Sequence, residues 1–198
     1  MPRKAGLNTA IVVQAAAEIL NTGGLEALNL KYLAEKLGVQ TPSLYNHVAG
    51  LTGLQRELAR LNAQNLGECI TRAAVGRSGA RALESIAQAY RAYILENLGL
   101  YTASLRASRN YLQPQPELEA AEDRVVQVVL AVVETYGLVG EDAIHAVRGL
   151  RSLVHGFATL EAAGGFGLPL DCDESFRRLV RIFIRGLEDS QKMAAGGK

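Results

Sequence analysis

Apolar residues recur at intervals of three and four along almost the whole chain, and no segment alternates at period two, which predicts an all-α fold. The first stripe, Ile11, Val12, Ala15, Ala16, Ile19 and Leu20, predicts a helix from about Thr9 to Asn21 that Gly23 and Gly24 stop. A second helix starts at Asn29, a good N-cap, and turns Leu30, Leu33, Ala34 and Leu37 inward. Gly38 ends it by supplying a left-handed C-cap. The third helix begins near Thr41, with the Thr41 hydroxyl expected as cap and Pro42 at the first helical position, where a missing N–H costs nothing. Leu44 and Val48, four apart, then point to the core, while Pro42, Ser43 and Asn46 project away from it and Tyr45 and His47 take the flanks.

Longer helices follow at about Leu51 to Ala74, Arg81 to Asn97, Leu100 to Ser108, Glu117 to Tyr136, Glu141 to Ala163 and Asp173 to Gln191, making about nine in all. This divides the chain into a three-helix N-terminal domain at 1–50, a helical bundle at 51–192 and a tail expected to be disordered at 193–198. In the last helix Phe176, Leu179, Val180, Ile182, Phe183, Ile184 and Leu187 cover far more than one stripe, so burial against one neighbour would leave apolar surface wet. The helix before it carries Val147, Leu150, Val154 and Phe157, with Ala146, Gly149, Gly156 and Ala158 small enough for close approach of another helix. The pattern predicts a homodimer joined by a four-helix interface of Val147, Leu150, Val154, Phe157, Phe176, Val180, Phe183 and Leu187. A thick monomeric bundle is the other solution to the same burial problem.

Composition narrows the class. With 48% hydrophobic and 21% charged residues the chain is ordinary for a globular protein. Neither terminus shows a secretory h-region and no run of about 18 apolar residues occurs, so a cytoplasmic chain with no membrane partner is expected. Cys69 and Cys172 sit in no C-x-x-C or Cys/His cluster, which points to reduced structural thiols and no metal site. His47, His145 and His155 are scattered, no carboxylate pair shares a helical face with a histidine, and no Gly-rich loop links a strand to a helix. No catalytic residue and no cofactor are therefore predicted. A net charge of +1 announces no global basic field, although the first 60 residues carry +2 against −1 for the remainder.

Two helices meeting across a tight Gly turn form a helix-turn-helix, whose second member lies in the DNA major groove. Short polar residues suit that place: Ser and Thr hydrogen-bond bases or phosphates, and Pro and Thr carbons touch a thymine methyl. The stretch "NTGGLEALNL" followed by "LKYLAEKLGVQTPSLYNHV" resembles the DNA-binding domain of the TetR family of bacterial regulators. The resemblance implies that Thr41, Pro42, Ser43, Tyr45, Asn46 and His47 contact double-stranded DNA and that Asn29 and Lys31 meet its backbone. A Lys common in the family at the start of the fourth helix is missing from "AGLTGLQ". Backbone amides there, with Thr52, are the expected substitute, and Arg3 and Lys4 are placed to add to the grip.

The C-terminal part resembles one branch of the family whose penultimate helix carries Trp-His-Gly; here the stretch reads Val154-His155-Gly156, and the chain has no Trp. The family's second domain holds a small-molecule effector. Tyr90, Tyr93, Tyr101, Leu105 and Tyr111 concentrate aromatic surface and hydroxyls in the middle helices and, with His155, are the candidate lining. Tyrosines three apart on one helix serve equally well as core, and a buried histidine bonded to a carbonyl is the commoner arrangement. The resulting expectation is a homodimeric transcriptional regulator, a repressor that leaves a palindromic operator when an effector binds. A helical enzyme or small-molecule carrier, and an architectural DNA-binding dimer without effector, are the alternatives.

Overall fold

The computed structural model describes residues 6–107 and 115–196. Among them are nine α-helices and no strand: α1 (Thr9–Gly23), α2 (Leu30–Leu37), α3 (Thr41–Leu44), α4 (Gly50–Ala74), α5 (Gly79–Glu96), α6 (Leu98–Ala107), α7 (Pro116–Val133), α8 (Gly140–Ala162) and α9 (Cys172–Gly196). Single 3-10 turns at Leu25–Ala27 and Glu134–Tyr136 close the gap after α1 and the end of α7. The all-α expectation holds, with boundaries displaced by one or two residues at most ends. At the C-terminus the difference is larger: α9 runs on through Met193, Ala194 and Ala195 to Gly196, where a disordered tail was expected. Met and Ala are strong helix formers, so nothing before Gly196 interrupts the helix.

The chain forms two compact units, one of residues 1–64 with 97–119 and the other of 65–96 with 120–198. The passage between them falls inside α4 and not at residue 50, because the first turns of α4 and the whole of α6 belong with α1 to α3. In the first unit Val12, Ala16, Leu20, Leu33, Leu44, Leu54 and Leu100 share one core. Asn8 caps α1 by accepting from Ile11 N–H at 2.9 Å, and Asn29 caps α2 by accepting from Tyr32 N–H at 2.8 Å. Gly38, at φ 67°, ends α2 in the left-handed conformation expected of it. The expected Thr41 cap is displaced: Gln40 is the N-cap of α3, with no side-chain cap bond, and Thr41 is already helical.

α6 docks on the end of α1. The Leu100 N–H donates to the Asn21 side chain at 2.9 Å, and the Asn21 amide donates to Asn97 at 3.2 Å. A Cβ on Gly99 would lie 1.9 Å from the Leu20 carbonyl oxygen, so only glycine permits this approach.

In the second unit α5, α8 and α9 pack together around Leu83, Ile86, Ile94, Leu150, Val154 and Phe176. Burial within the protomer divides the residues of the predicted dimer seam. Leu150, Val154, Phe157, Phe176, Val180 and Leu187 are buried within their own chain, leaving Val147 and Phe183 half-buried. The 3.6-residue period identifies a stripe but cannot say which neighbour covers it, and α5 covers this one. The other face carries Gly149, Leu153, Gly156 and Leu160 on α8 and Leu179, Ile182, Phe183 and Gly186 on α9, with Ile182 67% exposed.

Candidate nucleic-acid interface

The reading head follows from its two anchors. Leu44 and Val48 are sealed in the core of the first unit, so the residues between and before them must face outward. Pro42, Tyr45 and Asn46 are exposed, Tyr45 at 58%, while Thr41, Ser43 and His47 are half-buried. The α-helical part spans one turn, after which Tyr45 N–H donates to the Pro42 carbonyl at 3.2 Å and His47 N–H to the Leu44 carbonyl at 2.9 Å. These tight bonds continue the coil where Tyr, Asn and His, all weak helix formers, would not sustain a regular helix alone. The far end is tied across the unit: the Thr9 hydroxyl donates to the His47 carbonyl at 3.1 Å. Asn29 and Lys31, at the start of α2, are both exposed, but the Asn29 oxygen is already the cap of its helix.

The charge around the head is sparse. Lys36 is paired with Glu18 at 3.2 Å, Arg60 with Glu57 at 2.6 Å, and the start of α4 carries exposed Leu51 in place of a cation. Gly50 opens α4 at φ 65°, with the Tyr45 ring 3.9 Å from where its Cβ would stand. Arg3 and Lys4 lie outside the described residues.

The candidate effector residues divide between the units. Tyr90 and Tyr93 are buried in the second unit. Burial, then the neighbouring Cys69 and Tyr90, push the Tyr93 hydroxyl well above the usual phenol range, opposed by its hydrogen bond to Asn65. The Cys69 thiol, also raised by burial, donates to the Ala89 carbonyl at 3.6 Å. Asn65, one turn before Cys69 on α4, escaped notice in the sequence because it does not disturb the apolar period. Tyr101 is buried and Leu105 half-buried in the first unit, and Tyr111 lies outside the described residues. His155 is half-buried on α8, where burial and the Arg151 charge lower its pKa. No group of three or more His, Cys, Asp or Glu able to hold a metal occurs among the described residues, and no described helix is long and apolar enough to cross a membrane.

A helix-turn-helix head on an all-helical body defines a class of one-chain transcriptional regulators, and the relatives agree. Residues 83–183 match the family model described as tetracyclin repressor-like, C-terminal domain. The uncharacterized HTH-type transcriptional regulator YobS of Bacillus subtilis (strain 168) is 36% identical over 188 residues, which is 94% of this chain and 96% of its own. A second such regulator, from Mycobacterium tuberculosis, is 33% identical over 94% of this chain and 84% of its own. The Escherichia coli tetracycline repressor protein class D is 44% identical over 55 residues, 28% of this chain and 25% of its own. The chain belongs to the TetR family of transcriptional regulators. In fold it also resembles a Rhodococcus protein of unknown function (TM-score 0.80, 23% identity, 95% of this chain and 99% of that one). A TetR variant of Acinetobacter baumannii in complex with minocycline is similar too (TM-score 0.70, 23% identity, 93% and 98%).

Proposed function

We propose that this regulator is a homodimeric repressor that holds a palindromic operator through Thr41, Pro42, Ser43, Tyr45, Asn46 and His47 and releases it when a small molecule binds the second domain. The observation that carries the reading is the exposure of Tyr45 and Asn46 between two sealed anchors, Leu44 and Val48, and of Pro42 just before them. Such a head presents polar and methyl groups on a fixed support, as major-groove readout requires. Tyr45 and His47 flank it at the positions that meet phosphate, with Lys31 and the Asn29 end of α2 beside them. For the two heads to read half-sites together they must stand about one helical turn of DNA apart, roughly 34 to 36 Å.

Dimerisation is assigned to the outer face of α8 and α9, where Leu153, Leu160, Leu179, Ile182 and Phe183 alternate with Gly149, Gly156 and Gly186. Small residues there admit a second pair of helices at close range. Effector binding is assigned to the region of Tyr90, Tyr93, Asn65 and Cys69, which combines apolar rings with a few polar anchors. The minocycline held by the Acinetobacter regulator supports a small organic effector as the class.

The test is selection of bound sequences from a random duplex pool, with stoichiometry measured at two salt concentrations. A palindrome bound by two chains, weakened by salt, is expected. A folded sample that enriches no duplex would defeat the regulator reading.

A further inference from the structure

The reading segment is short and its far end is exposed to fraying. Helix ends leave carbonyls without partners, and beyond α3 the chain holds its coil only through single-turn bonds ending in Val48 N–H to the Leu44 carbonyl at 3.0 Å. The Val48 carbonyl accepts from Gly50 N–H at 2.9 Å, whereas the His47 carbonyl is held from outside the segment: it accepts from the Thr9 hydroxyl, 38 residues away, at 3.1 Å. Thr9 is the first residue of α1, and Asn8 already caps that helix, so the Thr9 hydroxyl is not required by its own helix. It instead brings the positive end of the α1 dipole against a carbonyl at the end of the reading segment.

We propose that Thr9 is a positioning residue for sequence readout: its hydroxyl fixes the His47 carbonyl and with it the angle at which Tyr45, Asn46 and His47 meet a duplex. The proposal rests on the DNA-reading role assigned above. Its physical necessity comes from the sparse charge of the head. With Lys36 engaged by Glu18 and Leu51 at the start of α4, few phosphate grips compensate for a misaligned segment, and a small error in angle separates base contacts made from base contacts missed.

The test compares Thr9→Val, which keeps the shape and deletes the hydroxyl, with Thr9→Ser, which keeps the hydroxyl. Without DNA, amide hydrogen exchange at His47 and Val48 is expected to quicken about three- to tenfold in Thr9→Val, the scale of one ordinary hydrogen bond, and to return to the parent rate in Thr9→Ser. With DNA, the ratio of selected-operator to random-duplex affinity should fall by a similar factor in Thr9→Val alone, random-duplex affinity being unchanged. Unchanged exchange, or faster exchange with an unchanged ratio, overturns the proposal. Equal loss in both variants assigns the effect to packing and overturns it too. If the parent chain enriches no duplex while exchange still responds to Thr9→Val, the regulator reading fails, and the readout role of Thr9 falls with it.

Discussion

Arg91 concentrates the polar energetics of the second unit in one side chain. It is 6% exposed, donates through two nitrogens to Glu161 and through the third to Asp173 at 2.7 Å, and its guanidinium stands 5.5 Å and 5.0 Å from the ring centres of Phe157 and Phe176. The hydrogen bond to Glu161, more than that to Asp173, raises the guanidinium pKa above its ordinary value against the opposing effect of burial. Removing one partner of a buried pair strands the other, so Arg91→Met should cost about 3–5 kcal/mol in urea unfolding. Adding Glu161→Leu should recover much of that loss. Asp173, whose side chain is 72% exposed, is worth under about 1 kcal/mol as Asp173→Asn. His155 supplies a pH dependence. Burial and then Arg151 lower its pKa below the ordinary histidine value of 6.5, so the folded chain resists a proton that the unfolded chain accepts. The contribution is complete above the unfolded value and is lost as pH falls through 6.5 toward the folded value. The melting temperature of His155→Gln should therefore fall less between pH 8 and pH 5 than that of the parent, and equal falls would contradict the assignment.

Among the elements, the contact of α6 with α1 is the least forgiving. A Cβ at residue 99 would stand 1.9 Å from one backbone oxygen and 2.8 Å from the Asn21 nitrogen, neither of which can rotate away. Gly99→Ala should destabilise the first unit by about 2–3 kcal/mol, the range of overpacking, whereas Gly156→Ala, with open space around it, should leave protomer folding untouched. Calorimetry of the two variants separates them. That contact was not legible in the sequence, where Gly99 looks like any glycine between two helices. Asn29, Gly38, Leu44 and Val48 were legible, because caps and a four-residue apolar spacing are local and carry their own geometry. Leu150, Val154 and Phe176 show the limit: their period placed them on one face, but the choice between α5 and a second chain as the cover is tertiary. Arg91 was hidden for the same reason, since its partners lie 70 and 82 residues away.

At the scale of the whole molecule, charge and symmetry decide how the heads work together. A net charge of +1 gives little steering field, and binding through neutral donors should show a shallow salt dependence. Leu51→Lys restores a cation at the start of α4, where Leu51 is exposed. The slope of log affinity against log salt should steepen by about 0.9 per head, near 2 for a dimer; an unchanged slope would place residue 51 away from phosphate. Dimerisation makes the stronger demand. Ile182 stands 67% exposed in the protomer, so Ile182→Glu disturbs little intramolecular packing, yet it sets a carboxylate in the proposed α8–α9 seam. Desolvating an unpaired charge there is costly enough to prevent association. Sedimentation should find a helical monomer. With the second head no longer held at the high effective concentration of a linked site, operator affinity should fall by at least about 100-fold, while single half-site binding stays near that of the parent. A dimer that persists at micromolar concentration with full operator affinity would move the interface to another face.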